Sequence, residues 1–148
     1  MNIYNTQISF GLEIPNKISL NVYFSGCKNN KKCDRDKCHN KELHSFTVGE
    51  NYTNYFDYIH KLLMEYSLID CVCLLGGEPI DQNKLCLHNF LNKIRSIKNI
   101  DVYSYTGYDY QMNKEEIDNF LNIFKIKDIY VGHYSESNNL QYWLRGLI

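Results

Sequence analysis

The order strand, helix, strand, helix, strand, helix, strand predicts an α/β protein with a mainly parallel sheet and helices packed against it. Three observations carry this expectation. Short apolar runs alternate with longer stretches whose apolar residues recur at helical spacing. The run Cys71 to Leu75, between Asp70 and Gly76, is apolar throughout, as suits a strand covered on both faces. Glycines follow every predicted strand: Gly26, the pair Gly76 and Gly77, Gly107 and Gly132. They would line the sheet edge at which parallel α/β folds bind ligands, where a missing Cβ lets backbone approach a small molecule.

Taken in order, Ile18, Leu20, Val22 and Phe24 alternate with Ser19, Asn21 and Tyr23, the period-two pattern of a half-buried strand that Gly26 breaks. Tyr55, Ile59, Leu62, Leu63 and Tyr66 share one face of a helix beginning near Thr53. After the strand Cys71 to Leu75, Asp81 is placed to cap a helix whose apolar face is Leu87, Phe90, Leu91 and Ile94. Ile100 to Tyr105 reads as the third strand, ending at Thr106 and Gly107. Asn113 and Glu116 form a variant capping box ahead of Ile117, Phe120, Leu121 and Phe124. Asp128 to Val131 supplies the fourth strand.

The 148 residues read as a single domain, 1–148, without repeats or a Pro-rich linker. Sixteen basic and 17 acidic residues give a formal net charge of −1, so no global field favours nucleic acid or an anionic membrane. The start MNIYNTQISF lacks a charged-then-apolar leader, and no apolar run reaches membrane-spanning length. A cytoplasmic, reducing setting is therefore expected, in which six cysteines need not be disulfides.

Half of those cysteines fall in one polar loop, SGCKNNKKCDRDKCHN, directly after the first predicted strand. Cys27, Cys33 and Cys38 are soft thiolate donors that can converge on one metal centre. Taken alone, the loop fits two metals equally. With His39 or His44 as a fourth ligand it would make a Cys3His zinc site, whereas three thiolates alone can hold a [4Fe-4S] cluster and leave one iron open. Its place at the ligand edge of an α/β domain, rather than in a self-contained zinc module, favours the cluster.

The run SLNVYFSGC with its two following cysteines, then LLGGEPIDQN and YSYTGY, resembles the radical S-adenosylmethionine superfamily. It is most similar to the anaerobic ribonucleoside-triphosphate reductase activating proteins, from about Ile14 to Gly132. That resemblance implies a partial (β/α) barrel. It implies Cys27, Cys33 and Cys38 as ligands of a [4Fe-4S] cluster, with S-adenosyl-L-methionine chelating the open iron. Gly76, Gly77, Glu78 and Pro79 match the GGEP motif that receives the methionine ammonium. Ser104 and Thr106 become candidates for its carboxylate or ribose. The spacing departs from the usual CxxxCxxC: five residues separate the first two cysteines and four the next two. Lys37 stands where the superfamily often has an aromatic residue near the adenine, which leaves His39 as the substitute.

The implied function is reductive cleavage of S-adenosylmethionine to a 5′-deoxyadenosyl radical that installs a glycyl radical on a partner such as an anaerobic ribonucleotide reductase. An electron donor such as flavodoxin or ferredoxin would feed the cluster, and the excess of three positive charges between Lys28 and Lys37 offers it a docking surface. No catalytic acid or base is expected, because cluster and cofactor carry the chemistry. The same chemistry on another peptide or a small molecule, and a zinc-stabilised binding module, are the alternatives. Cys71, Cys73 and Cys86 read as core packing, and His60, His88 and His133 as surface or locally bonded residues.

Overall fold

The computed structural model describes residues 1–28, 35–133 and 141–146. Its strands are β1 (Asn2–Phe10), β2 (Ile18–Phe24), β3 (Glu50–Asn51), β4 (Cys71–Gly76), β5 (Asp101–Tyr105), β6 (Asp128–Val131) and β7 (Tyr142–Trp143). They form one open sheet in the order β3-β1-β2-β4-β5-β6-β7. The four strands expected from the sequence are the parallel centre: β2, β4, β5 and β6 run side by side in one direction. Antiparallel strands flank them, β1 and β3 on one side and β7 on the other. The sheet does not close on itself.

The helices α1 (Phe56–Glu65), α2 (Lys84–Ile97) and α3 (Lys114–Ile123) provide the crossovers. Their apolar stripes bury Ile59 and Leu63, then Leu87, Phe90, Leu91 and Ile94, then Ile117, Phe120 and Leu121. Against them the sheet sets Leu20, Val22, Phe24, Val72, Leu74 and Val102. Phe24 meets Phe90 edge to face at 5.9 Å, joining the central strand to α2.

Local details differ from the sequence expectation where tertiary contacts intervene. A short 3-10 turn, Tyr52–Tyr55, precedes α1, capped by Asn51, whose side chain accepts from the Thr53 amide. The helix then ends at Glu65, which leaves Tyr66 52% exposed instead of on the buried face. Asp81 does not cap α2. Asn83 does, accepting from the Cys86 amide at 3.0 Å. Asn113 occupies the cap position of α3 without a side-chain capping bond; its amide donates instead to the Asp109 carbonyl at 3.0 Å.

β2 is not half-buried. Ser19 and Asn21 are as fully buried as the apolar residues between them, because the helix-free face of the sheet carries a second small core. The β1–β2 connection folds beneath the sheet and lays Ile14 against Cys71, Cys73, Tyr103 and Trp143. Tyr105 fastens that connection from above, its hydroxyl donating to the Glu13 carbonyl at 2.7 Å. Trp143 of β7 closes the other side, 5.4 Å from Tyr105 and 5.3 Å from Tyr130. No helix among the described residues is long and apolar enough to cross a membrane.

Candidate metal centre at the strand ends

The chain leaves β2 through Ser25, Gly26 and Cys27, and the returning segment comes back beside it. The Gly26 amide donates to the Leu43 carbonyl at 2.8 Å and the Cys27 amide to the His44 carbonyl at 3.2 Å. This anchors both the exit and the return of the cysteine loop. Gly26 has φ +106, and a Cβ there would stand 2.0 Å from the Phe46 ring, so glycine is required both by the backbone and by the ring packed on it. Cys27 and Cys38 are half-buried and belong to no disulfide. Cys33, and with it the geometry of the complete three-cysteine set, lies outside the described residues. Among the described residues no three His, Cys, Asp or Glu side chains gather into a metal-holding group.

Cys71 and Cys73, unlike the half-buried Cys27 and Cys38, are sealed inside β4. Burial pushes the Cys71 thiol up to about 12 and the Cys73 thiol well above its ordinary value. Both therefore stay protonated at neutral pH, and a protonated thiol is a poor metal ligand. They are core residues, as their strand predicts. Cys86 is not: it is half-buried on α2. His60 and His88 are exposed, and His88 shares a hydrogen bond with Asn92 at 2.9 Å.

At the end of β4 the GGEP segment meets the cysteine loop directly. The Gly77 amide donates to the Phe24 carbonyl at 2.8 Å, and the Glu78 amide to the Gly26 carbonyl at 2.9 Å. The glycines serve this approach. A Cβ on Gly76 would stand 2.4 Å from the Phe24 backbone, and one on Gly77 would stand 2.3 Å from the Gly26 oxygen. Neighbouring chain, rather than open space for a small molecule, fills the room their missing Cβ atoms leave, which corrects the reason the sequence suggested for them.

Glu78 is fully buried, and its carboxylate accepts from the Ile80 amide at 3.2 Å and the Gly107 amide at 2.9 Å. It thereby ties the end of β4 to the end of β5. Pro79 opens the 3-10 turn Pro79–Asp81 that follows, where its fixed φ and missing donor suit the first position. Ser104 is buried with its hydroxyl 3.2 Å from the Tyr105 carbonyl, and the Thr106 hydroxyl accepts from the Tyr108 amide at 3.1 Å. Both hydroxyls thus serve the fold at the same sheet edge. His39 lies exposed next to Cys38.

Three residues not singled out from the sequence as site residues complete this corner. Asp81 and Gln82 are 6% and 4% exposed, and Tyr108 is 2% exposed. The sequence signal is thin: Asp81 reads as the cap of the following helix, and Gln82 stands out only as part of the run LLGGEPIDQN.

The donor chemistry fits an iron–sulfur cluster. Half-buried thiols on a loop whose two ends are pinned to a sheet edge are accessible to a metal, while the sealed thiols of β4 are not. The family described as 4Fe-4S single cluster domain matches residues 17–144, which span β2 through β7 and include all three loop cysteines. No curated protein matches the chain.

Proposed function

The chain belongs to the 4Fe-4S single cluster domain family, and we propose that it is a radical S-adenosylmethionine enzyme of the glycyl-radical-activating type. The observation that carries this reading is the contact between the two motifs. Glu78 of the GGEP turn donates its amide to Gly26, the residue before Cys27, so cluster loop and cofactor-binding turn share one corner of the sheet.

In this reading Cys27, Cys33 and Cys38 hold the cluster. The Gly76–Pro79 turn offers backbone carbonyls to the methionine ammonium, while the Glu78 carboxylate keeps that turn rigid by accepting the Ile80 and Gly107 amides. Ser104, Thr106 and His39 stand at or beside the same edge as candidates for the rest of the cofactor. Held by these residues, the cluster and S-adenosylmethionine would supply one-electron reductive cleavage to methionine and a 5′-deoxyadenosyl radical able to take a hydrogen atom from a glycine of the partner. The sheet is open rather than closed, which supports a site that takes a protein loop as substrate. The partner is a glycyl-radical enzyme such as an anaerobic ribonucleotide reductase, with flavodoxin or ferredoxin as electron donor.

Electron paramagnetic resonance of the anaerobically reconstituted, reduced protein tests the reading. A [4Fe-4S] signal that changes when S-adenosylmethionine is added, with 5′-deoxyadenosine formed and a glycyl radical on an added reductase, is the expected result. Cofactor cleavage without a radical on the reductase points to another substrate. A second reading rests on the His44 carbonyl lying 3.2 Å from the Cys27 amide, which brings that histidine beside the loop for a Cys3His zinc site. Stoichiometric zinc and no cluster signal after anaerobic reconstitution would establish it and overturn the radical mechanism.

A further inference from the structure

Asp81 and Gln82 sit between β4 and α2, and neither contributes to the cap of that helix. Their polar groups reach instead across the sheet edge to the stretch that carries Cys27. The Gln82 Nε2 lies 3.2 Å from the Ser25 carbonyl, 3.3 Å from the Gly26 carbonyl and 3.0 Å from the Glu78 carbonyl. One amide group with two hydrogens thus serves three carbonyls from two different segments. On the far side of Cys27, the Asp81 Oδ2 accepts from the Lys28 amide at 2.7 Å. The Asp81 Oδ1 accepts from the Tyr108 hydroxyl, and the Tyr108 carbonyl accepts from Gly132 at 3.0 Å, where β6 ends.

Cys27 is therefore held from both sides in sequence, Ser25 and Gly26 by Gln82 and Lys28 by Asp81. These supports come from the turn after β4 and are braced by the ends of β5 and β6. We infer that Asp81 and Gln82 are positioning residues that pre-organise the Cys27 thiolate for its cluster. This deepens the reading above and rests on it. A metal ligand must be held in one geometry when metal binds, and supports that fix its backbone beforehand raise affinity and slow release. Asp81 accepts as a buried oxygen acceptor with two fixed donors, so truncation would leave the Lys28 amide and the Tyr108 hydroxyl without it.

The test compares the full chain with Asp81→Ala, Asp81→Asn, Tyr108→Phe and Gln82→Met. In the metal-free protein, Cys27 alkylation by iodoacetamide is followed by peptide mass spectrometry, with half-buried Cys86 on α2 as internal reference. After reconstitution with iron and sulfide, the rate of iron loss to a ferrous chelator is measured. Asp81→Ala should raise the Cys27 alkylation rate about tenfold, the size of one charge-assisted hydrogen bond, with Cys86 unchanged. Asp81→Asn, which retains one acceptor, should recover part of that difference, and iron loss should follow the same order. Should Asp81→Ala fail to fold, Tyr108→Phe and Gln82→Met carry the comparison, the first removing the hydroxyl that donates to Asp81 and the second the amide that donates to the Ser25 and Gly26 carbonyls. Wild-type rates for Cys27 and for iron loss in the folded variants overturn the inference, as does an equal acceleration at Cys86. Zinc in place of iron in the wild type overturns the cluster reading instead, while the alkylation rates still decide whether Asp81 and Gln82 hold Cys27.

Discussion

Gly77 lies so close to Gly26 that a Cβ on it would stand 2.3 Å from the Gly26 carbonyl oxygen and 2.6 Å from that of Leu43. The turn after β4 and both ends of the cysteine loop therefore meet backbone to backbone. Neither neighbour is a flexible side-chain end that could turn aside. Gly77→Ala should destabilise the fold by roughly 2–4 kcal/mol through this overlap and weaken iron retention with it. Gly146 is the contrast: its φ is +74 but a Cβ would meet nothing within 4 Å, so Gly146→Ala should cost only about 1 kcal/mol of backbone strain. Urea unfolding of the two variants checks the difference.

Glu78 accepts two backbone amides with two carboxylate oxygens in a fully buried position. Glu78→Gln keeps the shape but turns an NH2 toward one of those donors. A loss of about 2–3 kcal/mol is expected, together with faster amide exchange at Ile80 or Gly107. Unchanged stability and exchange would show that the carboxylate is not the tie between β4 and β5.

Cys71 and Cys73 make stability fall at high pH. Burial raises their folded values above the ordinary 9.0, that of Cys71 to about 12. The neutral thiols are thus favoured by folding. Their contribution is complete below pH 9, declines as the unfolded chain begins to ionise, and is lost as pH rises toward and through the folded values. Cys71→Ala should flatten the stability profile between pH 9 and about 12 without removing iron. Cys27→Ala or Cys38→Ala, by contrast, should remove the cluster, which iron analysis reads directly.

Ile14, fully buried, is the side chain by which the β1–β2 connection enters the second core. Ile14→Ala should cost about 2–4 kcal/mol in chemical denaturation, since the rings of Tyr103 and Trp143 leave a gap little able to collapse. A value under 1 kcal/mol would mean that the connection is only loosely seated.

Asn83, not Asp81, should behave as the cap of α2. Asn83→Ala removes one acceptor from the helix terminus and should lower stability by about 1 kcal/mol. Loop properties such as Cys27 reactivity should stay unchanged, which separates it from its two neighbours.

The parallel centre was legible because each of its strands is a short apolar run closed by glycine, and each crossover helix shows its stripe. β1 was not. A register shift between Ile3 and Asn5 breaks its alternation, and its exposed residues, such as Phe10 at 74%, do not match an inward-outward period. β3 and β7 are two residues each, too short to carry any period.

By itself the amino-acid order determined the α/β class, the central strands and helices, and the cysteine-bearing loop that follows the first of those strands. These are local signals, written in spacing and residue type. Tertiary structure alone decided that Asp81 faces Lys28 and Tyr108 instead of a helix terminus, that Ser19 and Asn21 are buried beneath a folded-back connection, and that the glycines of the turn after β4 accommodate neighbouring backbone. Each depends on which segment lies across the sheet edge, and a buried polar group takes the partner that packing brings within reach.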